Sequence, residues 1–164
     1  MDIGQIKLIA SKLLLVFFVV ALSLAAIFYL NQRWEKIRDI RRRVDAQSII
    51  KALDYYNVQI GAYPENSDDD GDGWDKSNDE QDRKFLEPLN KVGLLTVLAF
   101  DPTNDDSHYY RYQKFNAGDF GCSRPYVVFQ VASFEEVKEL GRGECPEINW
   151  TKLAPNGYTW FSLE

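Results

Sequence analysis

The chain has 164 residues, 25 of them Asp or Glu and 19 Lys or Arg, and its formal net charge of −6 argues against nucleic acid as a partner. The charge is unevenly placed, with a basic stretch at 33–43 and a strongly acidic one at 65–82. Aromatics make up 14% of the chain, so a soluble part of about a hundred residues can build one small core from few side chains.

Residues 13–30 read LLLVFFVVALSLAAIFYL, without a single charge. As a helix they reach roughly 27 Å, close to the hydrocarbon thickness of a bilayer. Helix is the conformation that pairs its own backbone groups in lipid. Lys7 and Lys12 flank the run on one side and Arg33, Lys36 and Arg38 on the other, with Tyr29 and Trp34 placed as interfacial aromatics. The run predicts a retained membrane anchor over residues 1–30. A cleaved signal peptide, with Ser23 and Ala25 at the cleavage site, is the rival, but the apolar run outlasts a usual signal core. The basic stretch after it suits anionic headgroups.

From Asn31 the helix is expected to continue as a stem over 31–60, since no Gly or Pro interrupts it before Gly61 and Pro64. One apolar stripe runs Ile37, Ile40, Val44. A second runs Ile49, Leu53, Tyr56, Ile60, turned roughly 140° from the first at 100° per residue. The first stripe is assigned to lipid surface or a neighbouring helix, the second to the protein's own domain. A kink at 45–48 would also realign them, though this stretch lacks the usual causes of one.

The domain is expected over 61–164. An acidic loop spans 67–82, a short helix 85–95 with Leu86, Leu89 and Val92 on one side, and a turn Asp101-Pro102-Thr103-Asn104. Strands are predicted at 108–115, 125–132 and 158–163, with Val127, Phe129 and Val131 on the core face. Pro155-Asn156-Gly157 supplies the turn before the last strand, and 133–140 a helical turn between strands. Together these predict an α+β fold, a long N-terminal helix packed on a small antiparallel sheet.

The acidic loop carries the chemistry that stands out. With Asp68 at position 1 of a calcium loop, Asp70 and Asp72 fall at 3 and 5, Gly73 at the turn, the Trp74 carbonyl at 7 and Asp79 at 12. Hard oxygens at alternate positions can fold round one Ca²⁺. Asp75 at 8, Lys76 at 9 and an aspartate at 12 depart from the EF-hand pattern, and Pro64 leaves no entering helix, so a solvated surface loop is the alternative. No convergent catalytic set is visible, and no enzyme is expected. His108 is the single histidine and has no nucleophile motif nearby; Asp119-Phe120-Gly121 lacks the glycines, lysine and catalytic loop of a kinase; Glu135 and Glu136 are adjacent and point different ways. Cys122 and Cys145 form one disulfide if the domain lies outside the cytoplasm and stay two buried thiols if it lies inside.

The layout resembles the type IV pilin-like proteins, and among them the major pseudopilin of type II secretion systems. The resemblance rests on the helix segment V-D-A-Q-S-I-I-K-A-L-D-Y-Y at 44–56, then Gly61-Ala62-Tyr63-Pro64, Phe85-Leu86-Glu87-Pro88-Leu89, Gly93-Leu94-Leu95, and Asp101-Pro102 followed by a tyrosine-rich strand. It implies a long helix capped by a small sheet, with anchor helices forming a filament core and domains outside. Calcium near the sheet loops and C-terminal disulfides both occur in such proteins. The start, Met1-Asp2-Ile3-Gly4-Gln5-Ile6-Lys7, departs from the family's G-F-T-L-x-E site and lacks its glutamate.

Positive charge after the anchor would by itself place the domain in the cytoplasm. The disulfide pair, the calcium-type loop and the resemblance place it outside, periplasmic or extracellular. The expected function is a structural subunit or minor component of a secretion or pilus-like filament, with other pilin-like subunits, secretion-system components and the membrane as partners. In that reading Ile37, Ile40 and Val44 form the helix–helix interface. The alternative is a stand-alone anchored domain that binds a partner without polymerising.

Overall fold

Leu13 and Phe17 belong to an apolar run whose side chains find no core of their own to enter. In the computed structural model, which describes residues 3–67, 71–78, 84–96, 99–136 and 141–164, helix α1 runs unbroken over Ile3–Ile60. The chain divides into two compact units, one ending at Ile37 and one running from Arg38 to Glu164.

In the first unit every residue from Lys12 to Trp34 is exposed, including Phe17 at 73% and Phe28 at 66%. A helix apolar on all sides is stable only in an apolar surrounding. This is the one described helix long and apolar enough to cross a membrane. The Arg33 Nε donates to the Tyr29 hydroxyl (3.1 Å), and its guanidinium lies 5.3 Å from the Tyr29 ring centroid.

In the second unit α1 ends where the sequence predicts. Gly61 takes φ of +88°, a value that suits glycine, and its N–H bonds the Asn57 carbonyl. Strands β1 (Asp75–Lys76), β2 (Tyr110–Phe115), β3 (Tyr126–Val131) and β6 (Tyr158–Leu163) form one antiparallel sheet in the order β1-β2-β3-β6. A two-residue hairpin pairs β4 (Glu144–Cys145) with β5 (Ile148–Asn149). The fold is α+β, a long N-terminal helix with a four-stranded antiparallel sheet, as expected.

Two cores lie on the two faces of the sheet. The inner one joins Ala46, Ile49, Ala52 and Leu53 of α1 to Tyr110, Tyr112, Val127, Phe129 and Val131, closed by Phe85, Leu86 and Leu89. The outer one gathers Phe115, Tyr126, Val128 and Trp150 around the two cysteines. The predicted core face of β3 is therefore right but incomplete, because all six of its residues are buried.

Several boundaries differ from the sequence reading. Ile60, assigned to the inward stripe, is 58% exposed, since it stands at the helix end beyond the sheet. The short helix α2 covers only Glu87–Lys91, entered through Leu86 in the left-handed region (φ 51°), and Val92 faces solvent. The acidic loop contains β1, anchored by the buried Asp75, whose carboxylate accepts the Leu86 N–H (3.0 Å). The described part of the predicted helical turn, 133–136, holds no helix: Ser133 bridges Asn156 as an isolated parallel pair. Residues 137–140 lie outside the described ones.

Candidate functional site

Of the proposed calcium ligands, Asp68, Asp70 and Asp79 lie outside the described residues. Asp72 and Trp74 are described. The Asp72 carboxylate accepts the Trp74 N–H (2.9 Å) and pairs with the Lys76 ammonium. Gly71 and Gly73 take φ of +81° and +89°, the reversals a tight cation loop needs. Lys76 thus already neutralises one candidate ligand. Among the described residues no three acidic, histidine or cysteine side chains converge as a metal site. The Trp74 ring turns away from the loop into the outer core, where Arg111 stacks on it at 4.3 Å.

Cys122 and Cys145 are bonded to each other, both 7% exposed, across a separation of 23 residues. The bond ties the 3₁₀ turn Asp119–Gly121 to the β4–β5 hairpin, and the Glu147 N–H reaches the Phe120 carbonyl beside it (3.1 Å). Phe115, Phe120, Tyr126 and Trp150 surround this corner edge-to-face and stacked. Ile37, Ile40 and Val44 are 53%, 51% and 56% exposed, a row of large apolar side chains left open to solvent.

The most concentrated polar site is one the sequence reading missed. Arg42 is fully buried, and each of its five N–H groups has a partner. Nε and one Nη2 hydrogen fork onto Asp101 (2.7 and 2.9 Å), the other Nη2 hydrogen goes to the Thr103 hydroxyl (3.0 Å), and Nη1 serves Asp39 and Glu135 (both 2.8 Å). Asp39 in turn accepts the backbone N–H groups of Glu135 and Glu136 (2.9 and 2.8 Å). Asp101 also caps its own turn by accepting from the Thr103 and Asn104 N–H groups (2.9 and 3.3 Å). Arg38 donates to both oxygens of Glu135.

Burial by itself would push the Arg42 guanidinium down, but the hydrogen bonds it donates to Asp101 and Glu135 outweigh that and hold it above its ordinary range. The two hydrogen bonds from Arg38, against the effect of burial and with help from Arg42, pull Glu135 down to about 2. One turn further along α1, burial raises the Asp45 carboxyl, whose Oδ2 accepts the Tyr110 hydroxyl (3.1 Å). This knot fastens α1 to the turn at 101–104 and to the segment after β3. Its groups are saturated by one another, so it is a fastening rather than a reaction centre. The one signal in the sequence was an alternation of Asp39, Arg42 and Asp45 at three-residue steps on a helix.

His108 pairs with Asp105 on the surface (3.2 Å), Tyr110 and Tyr112 are core residues, and none of the three supplies a site. Compared with protein-family models, with curated proteins and with solved structures, the chain finds no match in any of the three.

Proposed function

We propose that this protein is a membrane-anchored structural subunit, or a minor component, of a secretion or pilus-like filament, with the domain of 61–164 outside the cytoplasm. The observation that carries the reading is the pairing of an all-round apolar, exposed helical run at 13–30 with a four-stranded antiparallel sheet in a single chain. The exposed row of Ile37, Ile40 and Val44 supports contact with neighbouring helices, because single large apolar residues recurring along one face bury area only against a partner. The Cys122–Cys145 bond supports the exterior side, where disulfides persist. A Ca²⁺ ion on the acidic loop belongs to the same proposal. Asp68, Asp70, Asp72, Asp79 and the Trp74 carbonyl would hold it, and it would fix the loop on which β1 is built. Calcium that raises the thermal midpoint relative to chelator, with the gain lost in Asp72→Asn, is the outcome expected; equal midpoints would remove the ion from the proposal.

Shearing intact cells, pelleting filaments and blotting for the chain tests the main reading. Recovery in the pellet is expected, reduced by Ile40→Asp. Protein found only in membranes would sink the filament reading. It would leave the second one, an anchored domain that binds a partner without polymerising, which the lack of a glutamate in the apolar run favours.

A further inference from the structure

The strand order leaves β6 at an edge of the main sheet. Its backbone groups alternate in direction along the strand. The Glu164 N–H returns to the Pro125 carbonyl on the β3 side (2.8 Å), whereas the Thr159 carbonyl accepts the Arg142 N–H on the opposite side (3.0 Å). The groups of Thr159, Phe161 and Leu163 therefore face away from β3.

The chain covers the first of these positions itself. Gly141 bridges Thr159 in parallel, so closely that a Cβ at Gly141 would lie 1.9 Å from the Thr159 carbonyl oxygen. The segment then passes against the side chains of Thr159 and Phe161, where a Cβ at Gly143 would lie 3.3 Å from the Phe161 Cβ, and the Gly143 carbonyl turns to the Trp150 N–H (2.8 Å). Among the described residues, the outward N–H and C=O groups of Phe161 and Leu163 make no hydrogen bond. Exposed edges are ordinarily guarded by charge, proline or a bulge. The β6 sequence YTWFSL carries neither charge nor proline.

A cleft of about 360 Å³ lies along this edge, lined by Gly141, Arg142, Tyr158, Thr159, Trp160 and Phe161. Arg142 is exposed, and among the described residues its guanidinium makes no ion pair. At the other end of the strand the exposed Arg124 guanidinium donates to the Glu164 carbonyl on the β3 side, which leaves Arg142 as the positive charge beside the outward edge. The Glu164 carboxylate is engaged elsewhere, by the Tyr63 N–H (2.8 Å) and Lys114 (3.3 Å).

We propose that the open edge of β6 takes an extended, acidic segment of a partner protein as an added strand, with Phe161 and Leu163 supplying the backbone hydrogen bonds and Arg142 receiving a carboxylate. Backbone pairing gives such a mode its affinity and the flanking charges its selectivity. A second copy's β6, YTWFSL, carries no carboxylate to meet Arg142. The inference goes beyond anchoring and assembly and does not depend on the filament reading.

The test uses the full chain in detergent micelles and two fluorescein-labelled pentapeptides, Thr-Val-Glu-Val-Thr and Thr-Val-Lys-Val-Thr, read by fluorescence anisotropy. The glutamate peptide is expected to bind about tenfold or more tightly than the lysine peptide, and Arg142→Ala to abolish the difference. Leu163→Pro removes only an outward N–H, at a place where sheet edges tolerate proline, and is expected to weaken binding about tenfold with the thermal midpoint unchanged. Equal binding of the two peptides, or binding untouched by both substitutions, would overturn the proposal. So would a dimer, seen by light scattering, that Leu163→Pro dissolves and the glutamate peptide does not compete with, since that outcome gives the edge to a second copy.

Discussion

Arg42 shows how a charged side chain can be more committed to its surroundings than any apolar neighbour. Its burial is tolerated because three carboxylates and a hydroxyl use all of its donors. Arg42→Met is expected to destabilise the domain by about 3–5 kcal/mol, since Asp39 and Asp101 would stay buried without their cation. Arg42→Lys should recover only part of that, because an ammonium cannot fork onto Asp101. Urea denaturation of the full chain in micelles, followed by tryptophan fluorescence, measures both. A loss under about 1 kcal/mol would mean the carboxylates reach water. The same knot gives a pH dependence. Glu135 is held at about 2, below its ordinary value of 4.5, so its contribution is complete above about 4.5 and is lost as pH falls through about 2. Glu135→Gln should flatten the acid limb of the stability curve over that window. Arg38 and Arg42 were legible only as members of the basic stretch at 33–43, and that stretch reads as a solvated or lipid-facing run. The reason is geometric. Charges spread round a helix point everywhere, and hydrophobic periodicity is blind to a polar residue that shares the inward phase of Ala46 and Ile49.

At the level of elements, the sequence located the helix end, two strands to within a residue or two and the last strand fully, because Gly61, Pro64 and the Pro155-Asn156-Gly157 turn are strong local punctuation. It did not reveal β1. Two residues in an acidic run carry no alternation, and their pairing with Arg111 and Tyr112 is a tertiary choice. The outer core was also hidden. Its members come from Trp74, Phe115, Tyr126, Val128 and Trp150, far apart in the chain and joined by the disulfide corner. That corner should be worth about 3 kcal/mol by loop closure alone. The double variant Cys122→Ala, Cys145→Ala is therefore expected to unfold several degrees lower in a thermal melt. An unchanged midpoint would assign the stability of the outer face to the aromatic packing.

At the scale of the whole molecule, the α+β class and the long apolar N-terminal helix were both legible, since 18 uncharged residues and alternating strands are long-range compositional signals. Val20 sits at the middle of that run and is exposed. Val20→Arg is expected to cost about 2.5–3.5 kcal/mol of insertion and to release a share of the protein from membranes on carbonate extraction. Unaltered retention would argue that the run is held by protein rather than by lipid. The acidic run at 67–82 was legible as a calcium-type pattern with Lys76 as a departure from it, and Lys76 pairs with Asp72 four residues before it, supplying a positive charge of the protein's own.

Strand β3 has a further consequence. It is flanked by β2 and β6, sandwiched between two cores, and has no residue that reaches solvent. None of its backbone amides can open without separating both layers at once. In deuterated water the β3 amides should therefore be the last in the domain to exchange, at a rate that reports global unfolding rather than local fraying. Exchange from α1, with one face open along its length, should run ahead of them.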